Sequence, residues 1–257
     1  MLIQGRLSGL MALIIIFACI QYGLIRARRK GFYFRPIAGL DAVEEAIGRA
    51  TEMGKPVLYS PGYADVAGTT APPTIAGLDL LSHVGRLAAR YDTTIVVTVG
   101  HANTYALTLE VLRNAYLTEG KPDAYDPESV YFTSDVQFAF TAATLGLVQR
   151  EKPAATFYTG YFAAEAIILA EAAAAVNSIS IAGTTNYFQI PFFVAACDYT
   201  MIGEEFLAAG AFISKDPMRI GSIAGQDYVK MLSLMLVLVG IVMRTFKNDW
   251  LVTLLKR

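Results

Sequence analysis

The chain has 257 residues, of which 17% are charged and 54% are hydrophobic, and its formal net charge is -1. Ordinary soluble domains carry about 25% charged residues, so this composition argues against a soluble protein. The charges are spread along the middle of the chain, which argues against a polytopic transporter, and the near-neutral balance gives no support to nucleic-acid binding. The two cysteines, Cys19 and Cys197, are too few for a disulfide framework. A single membrane-anchored domain is the class that remains.

The first predicted element is a membrane helix in residues 7–25, which carry no charge. At about 1.5 Å per residue this stretch reaches roughly 28 Å, enough to cross a bilayer. A cleavable signal peptide is the alternative, but basic residues follow where a small-residue cleavage site is expected. We therefore predict an uncleaved anchor in residues 1–30. Because Arg26, Arg28, Arg29 and Lys30 lie on its carboxyl side, the positive-inside rule places the main domain in the cytoplasm of a cell or plasma membrane.

The second charge-free stretch, residues 231–243, lies between Lys230 and Arg244 and is shorter than the usual span of about 20 residues. We predict a short or tilted crossing in preference to a buried core helix, because both flanking cations can extend towards the membrane surface. Residues 227–257 are therefore expected to form a transmembrane or membrane-associated helix with an amphipathic tail. Two crossings would leave both termini outside, although the basic residues of the tail argue against that orientation.

Residues 31–226 alternate short apolar stretches with helical patterns. A helix is predicted from Asp41, which has capping-box spacing with Glu44, to Met53, with Gly54 as its C-terminal cap. The predicted strands are residues 57–59, 94–99, 130–133, 155–158, 179–182 and 192–196. The other predicted helices are residues 75–90, a segment ending near 120, and residues 136–150, 163–176 and 202–212. Uninterrupted apolar strands each followed by a helix predict an α/β fold with a Rossmann-like, doubly wound, mainly parallel sheet, flanked by the two transmembrane helices.

Small and polar residues follow five of these strands. Ligands of open parallel sheets bind beyond the carboxyl ends of the strands, so these residues form the candidate binding site. The candidates are Ser60, Asp65, His101, Asn103, Ser134, Asp135, Thr159, Glu165, Thr184 and Asn186. The alternative is that they only cap the helices that follow the strands, as Ser, Thr, Asn and Asp commonly do.

His101 is the candidate with the widest chemical range, since an imidazole acts as acid, base or ligand. Asp135 and Glu165 would form a carboxylate–imidazole set with it if the fold brought them together. His83 lies on a predicted helix between leucines and is interpreted as structural. We predict no metal, because no Cys, His and carboxylate spacing fits zinc. We also predict no cofactor and no standard enzyme signature, because the glycine-rich phosphate loops and the nucleophile elbow are missing from the sequence.

Three segments resemble a family of uncharacterised bacterial and archaeal membrane proteins. They are REKPAATFYTGYFAAEA at 150–166, IAGTTNYFQIPFFVAACDYTMIGEEFLAAGAFIS at 181–214 and GSIAGQDYVKML at 221–232. The likeness covers roughly residues 35–235. The resemblance implies a membrane location and one continuous domain. Because the family is described only as a domain of unknown function, the resemblance carries over no catalytic residues.

The functional expectation is a non-enzymatic scaffold or subunit that associates with copies of itself or with other subunits of a membrane complex. Its partners would be membrane lipid and those subunits, and no nucleic acid. Low charge outside the two anchors supports this expectation, because a charge-poor surface is typical of an interface. The alternative is a small-molecule-binding or enzymatic domain that uses the strand-end residues. A third possibility, a transport component, would use Glu165 and Glu171 in the bilayer.

Overall fold

The computed structural model describes residues 7–30, 37–214 and 216–246. They divide into two compact units, one made of Met1–Phe34 with Ser214–Arg257 and the other of Arg35–Ile213. The first unit contains helices α1 (Leu7–Lys30) and α9 (Pro217–Thr245). The predicted domain boundary between residues 226 and 227 falls inside α9. That helix begins earlier because Asp216 caps it, accepting a hydrogen bond from the Met218 N–H at 2.9 Å, and because Pro217 suits a first turn.

The second unit is the α/β domain, and its elements follow the predicted alternation. The strands are β1 (Val57–Gly62), β2 (Ile95–Val99), β3 (Val130–Phe132), β4 (Ala155–Tyr161), β5 (Ile179–Thr184) and β6 (Tyr199–Ile202). The helices are α2 (Ala38–Met53), α3 (Ala71–Tyr91), α4 (Ala102–Thr118), α5 (Gln137–Glu151), α6 (Glu165–Ala175), α7 (Ile190–Ala196) and α8 (Glu204–Ser214), with short 3-10 turns at Gly68–Thr70, Pro122–Ala124 and Pro127–Ser129.

Two local predictions were wrong. The strand expected at residues 192–196 is helix α7, and the edge strand β6 follows it instead. A short apolar stretch is ambiguous by periodicity, and Pro191 in the first turn favours a helix. Helix α2 begins at Ala38, before the predicted capping box, so Asp41 lies in its first turn and the N-cap Ile37 makes no side-chain capping bond. The predicted cap at Gly54 is confirmed, with a φ of 61° that suits glycine.

The sheet has six strands in the order β3-β2-β1-β4-β5-β6, and every neighbouring pair is parallel. The predicted mainly parallel α/β fold is therefore confirmed. The chain first builds outward from β1 to β3, then returns and builds from β4 to β6 on the other side. The direction of winding thus reverses between β1 and β4, which are adjacent in the sheet.

Alternate strand residues enter two separate cores. Tyr59 of β1 and Phe157 of β4 pack with helices α2, α3, α4 and α8 on one face, whereas Leu58 and Tyr158 pack with α5, α6 and α7 on the other. Period-two alternation in a sheet covered on both faces accounts for strands that are apolar throughout.

The two helices of the first unit pack as an antiparallel pair. Gly221 faces Leu24 and Gly225 faces Ile20, so contacts that advance along α9 go back along α1. A Cβ on Gly225 would lie 2.7 Å from the Ile20 Cα, which shows how closely the backbones approach. Segments Gly9–Arg28 and Pro217–Thr245 are long and apolar enough to cross a membrane, on length and composition alone. The predicted amphipathic tail after Phe246 lies outside the described residues.

Candidate functional site

The carboxyl ends of β1 and β4 meet where the direction of winding reverses. In open parallel sheets this place forms a crevice, because the helices that follow the two strands lie on opposite faces. Here α3 follows β1 on one face and α6 follows β4 on the other. What this edge can bind therefore depends on the residues that follow β1, β4 and the neighbouring strand β2.

Three of the predicted candidates meet at the ends of β1 and β2, and we call Asp65, His101 and Asn103 the carboxyl-edge cluster. The Nδ1 atom of His101 lies 3.3 Å from the Asp65 Oδ1. The Asn103 side chain donates to the same carboxylate oxygen at 3.1 Å. Thr104 then fixes the start of α4, since its hydroxyl donates to the Ala64 carbonyl at 2.8 Å. Residues far apart in the chain are thereby held together at one edge of the sheet.

The Nδ1 atom of His101 has two alternative roles. It accepts a hydrogen bond from the Asn103 N–H at 3.4 Å when it is unprotonated, or it donates to Asp65 when it carries a proton. The second arrangement leaves Nε2 as the proton-accepting nitrogen of a neutral imidazole. A carboxylate that accepts from Nδ1–H fixes the tautomer and the orientation of the ring, which is the arrangement a general base needs. The side chains of His101 and Asp65 are 33% and 26% exposed, so the pair is accessible to a small molecule.

Glu165 lies at the start of α6 and is completely buried. The Gln137 amide donates to its Oε2 at 2.5 Å, and the Ala163 N–H donates to its Oε1 at 2.8 Å. Buried carboxylates are stable only when they are hydrogen-bonded in this way. Burial, and then the negative charge of Glu165, raise the pKa of the neighbouring Tyr63 phenol, so Tyr63 remains a hydrogen-bond donor at neutral pH.

Most of the other predicted candidates are engaged in hydrogen bonds within the domain. Ser134 accepts from the Val136 N–H in the turn before α5, and Thr184 accepts from the Asn186 N–H. Asn186 donates to the Phe162 carbonyl. Ser60 is buried and donates to the Thr98 carbonyl. Two candidates remain. Thr159 is buried and hydrogen-bonded to Tyr59, whereas Asp135 is exposed.

The structure assigns His101 a different carboxylate from the two named in the sequence analysis. Asp65 is its acidic partner, whereas Glu165 is engaged by Gln137. Sequence reasoning missed Gln137 because a glutamine in a first helical turn has no distinctive spacing. Tyr63 directly follows β1, so its position was available as a signal, but its link to Glu165 depends on the pairing of β1 with β4.

Two cavities of the domain lie at the opposite, amino-terminal edge of the sheet. One of about 270 Å³ is lined by residues that include Asp92 and Asp126, and one of about 310 Å³ by residues that include Arg49 and Asp198. Within the described part of the chain, no group of three or more His, Cys, Asp or Glu side chains could hold a metal ion. Burial, followed by the charge of Arg86, lowers the pKa of the second histidine, His83, which favours its neutral form.

Comparison with known proteins supplies a family and no function. Neither curated proteins nor solved structures gave a match to this chain. A family model described as "Domain of unknown function (DUF6754)" matches residues 1–255. This match covers almost the whole sequence, including both apolar helices and the sheet domain between them. The chain therefore belongs to the DUF6754 family.

Proposed function

We propose that this protein is a membrane-anchored binding protein whose Rossmann-like, doubly wound domain holds a small polar molecule at the carboxyl edge of its sheet. The single observation that carries the proposal is the carboxyl-edge cluster, in which Asp65 and Asn103 orient the imidazole of His101. A ligand with a hydroxyl or acidic group fits this arrangement, because the unprotonated Nε2 accepts a hydrogen bond from such a group. Binding alone requires no reaction, and the proposal assigns none.

The anchoring half of the proposal is supported by the antiparallel packing of α1 and α9. Arg28 contacts Met218, so the carboxyl end of α1 and the amino end of α9 lie together. Both chain segments that lead into the α/β domain therefore leave the helix pair at the same end. That end carries Arg26, Arg28 and Arg219, and the positive-inside rule assigns it to the cytoplasm. Two transmembrane helices would then hold a cytoplasmic domain at a cell or plasma membrane.

A thermal-shift screen of the detergent-solubilised full chain tests the binding function. The panel contains nucleotides, sugars and acyl compounds. A ligand at 100 times its dissociation constant adds about 2.7 kcal/mol to the free energy of unfolding. For a domain of this size that gain raises the Tm by about 5 to 10 °C. We expect His101→Asn to abolish the shift, because asparagine keeps the helix cap but lacks the imidazole.

The matched control is Asp135→Asn, which removes an exposed carboxylate at the same edge of the sheet. It should leave the shift intact. The binding proposal fails if no compound of the panel changes the Tm. It also fails if the affinity of a bound compound is the same in His101→Asn as in the unsubstituted protein.

A second candidate function is that of a scaffold or subunit in a membrane complex, and exposed aromatic residues favour it. Tyr187 and Phe188 precede α7 and are 78% and 84% exposed, and Phe192 and Val194 on α7 are also exposed. We call these four residues the α7 surface. Adjacent exposed apolar residues of this kind are typical of interaction sites. The occupant would be another copy of the chain or another membrane subunit.

Native mass spectrometry in mild detergent tests the scaffold function. We expect assemblies larger than the monomer, and we expect Phe188→Ser to shift the distribution towards smaller assemblies, because it removes the most exposed side chain of the α7 surface. Phe138→Ser is the control, since Phe138 is 65% exposed but belongs to α5. A monomer in the unsubstituted protein, or equal effects of the two substitutions, contradicts this candidate.

A further inference from the structure

Helix α9 carries an acidic and a basic residue, Asp227 and Lys230, between the arginines near its two ends, Arg219 and Arg244. Lys230 Nζ lies 3.4 Å from the Asp227 Oδ1, three residues away on the same helix. Their side chains are 48% and 63% exposed, so they lie on the outside of the α1/α9 pair. Exposed apolar residues follow them along α9 from Met231 onward. Charged side chains within membrane helices are rare and mark functional positions.

The contacts between the two helices fix how deep this pair lies. Arg28 contacts Met218, Leu24 faces Gly221 and Ile20 faces Gly225. Continuing the same register, Asp227 and Lys230 lie opposite about residues 18 and 15 of α1, within its charge-free stretch. Along α9 they lie about 12 and 16 Å beyond Arg219, and the hydrocarbon core is about 30 Å thick. On this register the ion pair lies near the middle of a membrane that α1 and α9 span, and not at its surface, where the sequence alone predicts Lys230. Arg26 and Arg219 then lie at the surface.

An apolar strip accompanies the ion pair on the surface of α9. Met231, Leu234 and Val237 follow Lys230 at helical spacing, and all three side chains are exposed. A second helix that packs against this strip would cover the apolar residues and come within reach of both charges.

We propose that this face of α9 binds the same face of a second copy of the chain within the membrane. An Asp and a Lys on one helix are complementary to themselves under two-fold symmetry, because the Asp227 of each copy meets the Lys230 of the other. No partner with a different sequence is needed to satisfy the charges. Hydrogen bonds between polar side chains stabilise helix pairs in lipid, where the unpaired alternative is costly. The inference rests on the membrane anchoring proposed above and names the partner.

Charge-reversal variants of the full chain in lipid nanodiscs test the pairing. Asp227→Lys gives a chain with two cations at this face, and Lys230→Asp gives a chain with two anions. We expect each variant alone to dimerise about tenfold more weakly than the unsubstituted chain, because like charges then face each other. We expect a mixture of the two variants, and the double variant Asp227→Lys/Lys230→Asp, to recover dimerisation. Förster transfer between labelled chains measures all four cases.

The mixture separates pairing between chains from pairing within one helix. If Asp227 and Lys230 only neutralise each other on α9, the mixture dimerises as weakly as either variant alone, and the proposal is overturned. An unsubstituted chain that remains monomeric in nanodiscs overturns it as well, as does a dimer that neither variant weakens. Alkaline carbonate extraction of native membranes checks the anchoring separately, because release of the chain into the soluble fraction contradicts the membrane location itself.

Discussion

Replacing Gly77 by alanine is expected to destabilise the α/β domain by about 3 kcal/mol or more, the upper part of the range for overpacked cores. Gly77 lies where α3 crosses β4, and a Cβ there would lie 2.2 Å from the Thr159 carbonyl oxygen. That atom belongs to the backbone of a central strand and cannot rotate away. The contact is further fixed by Tyr59, whose buried hydroxyl donates to the Gly77 carbonyl at 2.5 Å and hydrogen-bonds to Thr159. The whole helix would have to move from the sheet.

Chemical denaturation of the full chain in mild detergent, followed by circular dichroism, measures this loss. Gly146→Ala is the matched control, because Gly146 lies on the exposed side of α5 and no described atom comes within 4 Å of its added Cβ. Alanine favours a helix over glycine by up to about 1 kcal/mol, so the control should raise the free energy of unfolding. Opposite signs for the same chemical change are the expected result. Equal effects of the two substitutions would show that the close packing of α3 on β4 is wrong.

Replacing Gly225 by valine is expected to separate helices α1 and α9. A Cβ on Gly225 would lie 2.7 Å from the Ile20 Cα, and one on Gly23 would lie 2.5 Å from the Gly221 carbonyl oxygen. Both contacts involve backbone atoms, so neither is relieved by rotation of a side chain. Gly221 and Gly225 are four residues apart, which is the spacing that lets membrane helices approach closely. A branched side chain at the crossing therefore removes contacts along the entire pair.

Thiol cross-linking in native membranes measures the separation of the two helices. The starting protein carries cysteines in place of Tyr22 and Tyr228, whose ring centroids lie 5.4 Å apart, and serines in place of the two natural cysteines. We expect a short cross-linker to join the two positions within one chain, and Gly225→Val to lower the yield about tenfold. Gly9→Val should leave the yield unchanged, because no described atom lies within 4 Å of the added Cβ. An undiminished yield in Gly225→Val would refute the glycine crossing.

Most of the α/β fold could be predicted because its signals are local. Apolar stretches such as Val57 to Tyr59 are short, lie between helical patterns, and form strands wherever a sheet covers them on both sides. Gly54 ends its helix because glycine adopts a positive φ readily, which depends on one residue alone. The stretch at residues 192–196 misled the prediction because five apolar residues suit a strand and a helix equally well. The choice between helix and strand depends here on how the segment packs between α6 and β6.

The candidate site was predictable as a set of positions but not as an arrangement. Parallel strands bring their carboxyl ends to one edge, so the list of strand-end residues followed from the alternation of elements. The choice of Asp65 as the partner of His101 depends on the course of the loop after β1 and on the pairing of β1 with β2. In the same way, Gln137 reaches Glu165 only because α5 and α6 pack side by side on one face.

By itself, the sequence determined that this protein combines two apolar helices with an intervening α/β domain, because composition and hydrophobic periodicity are properties of neighbouring residues. The tertiary structure decided the strand order, the partner of His101 and the register of α1 against α9. These features depend on residues that are distant in the chain and on backbones that approach closely only at glycines. The structure also shows that two of the few charged residues of the chain, Asp227 and Lys230, lie together on one face of α9.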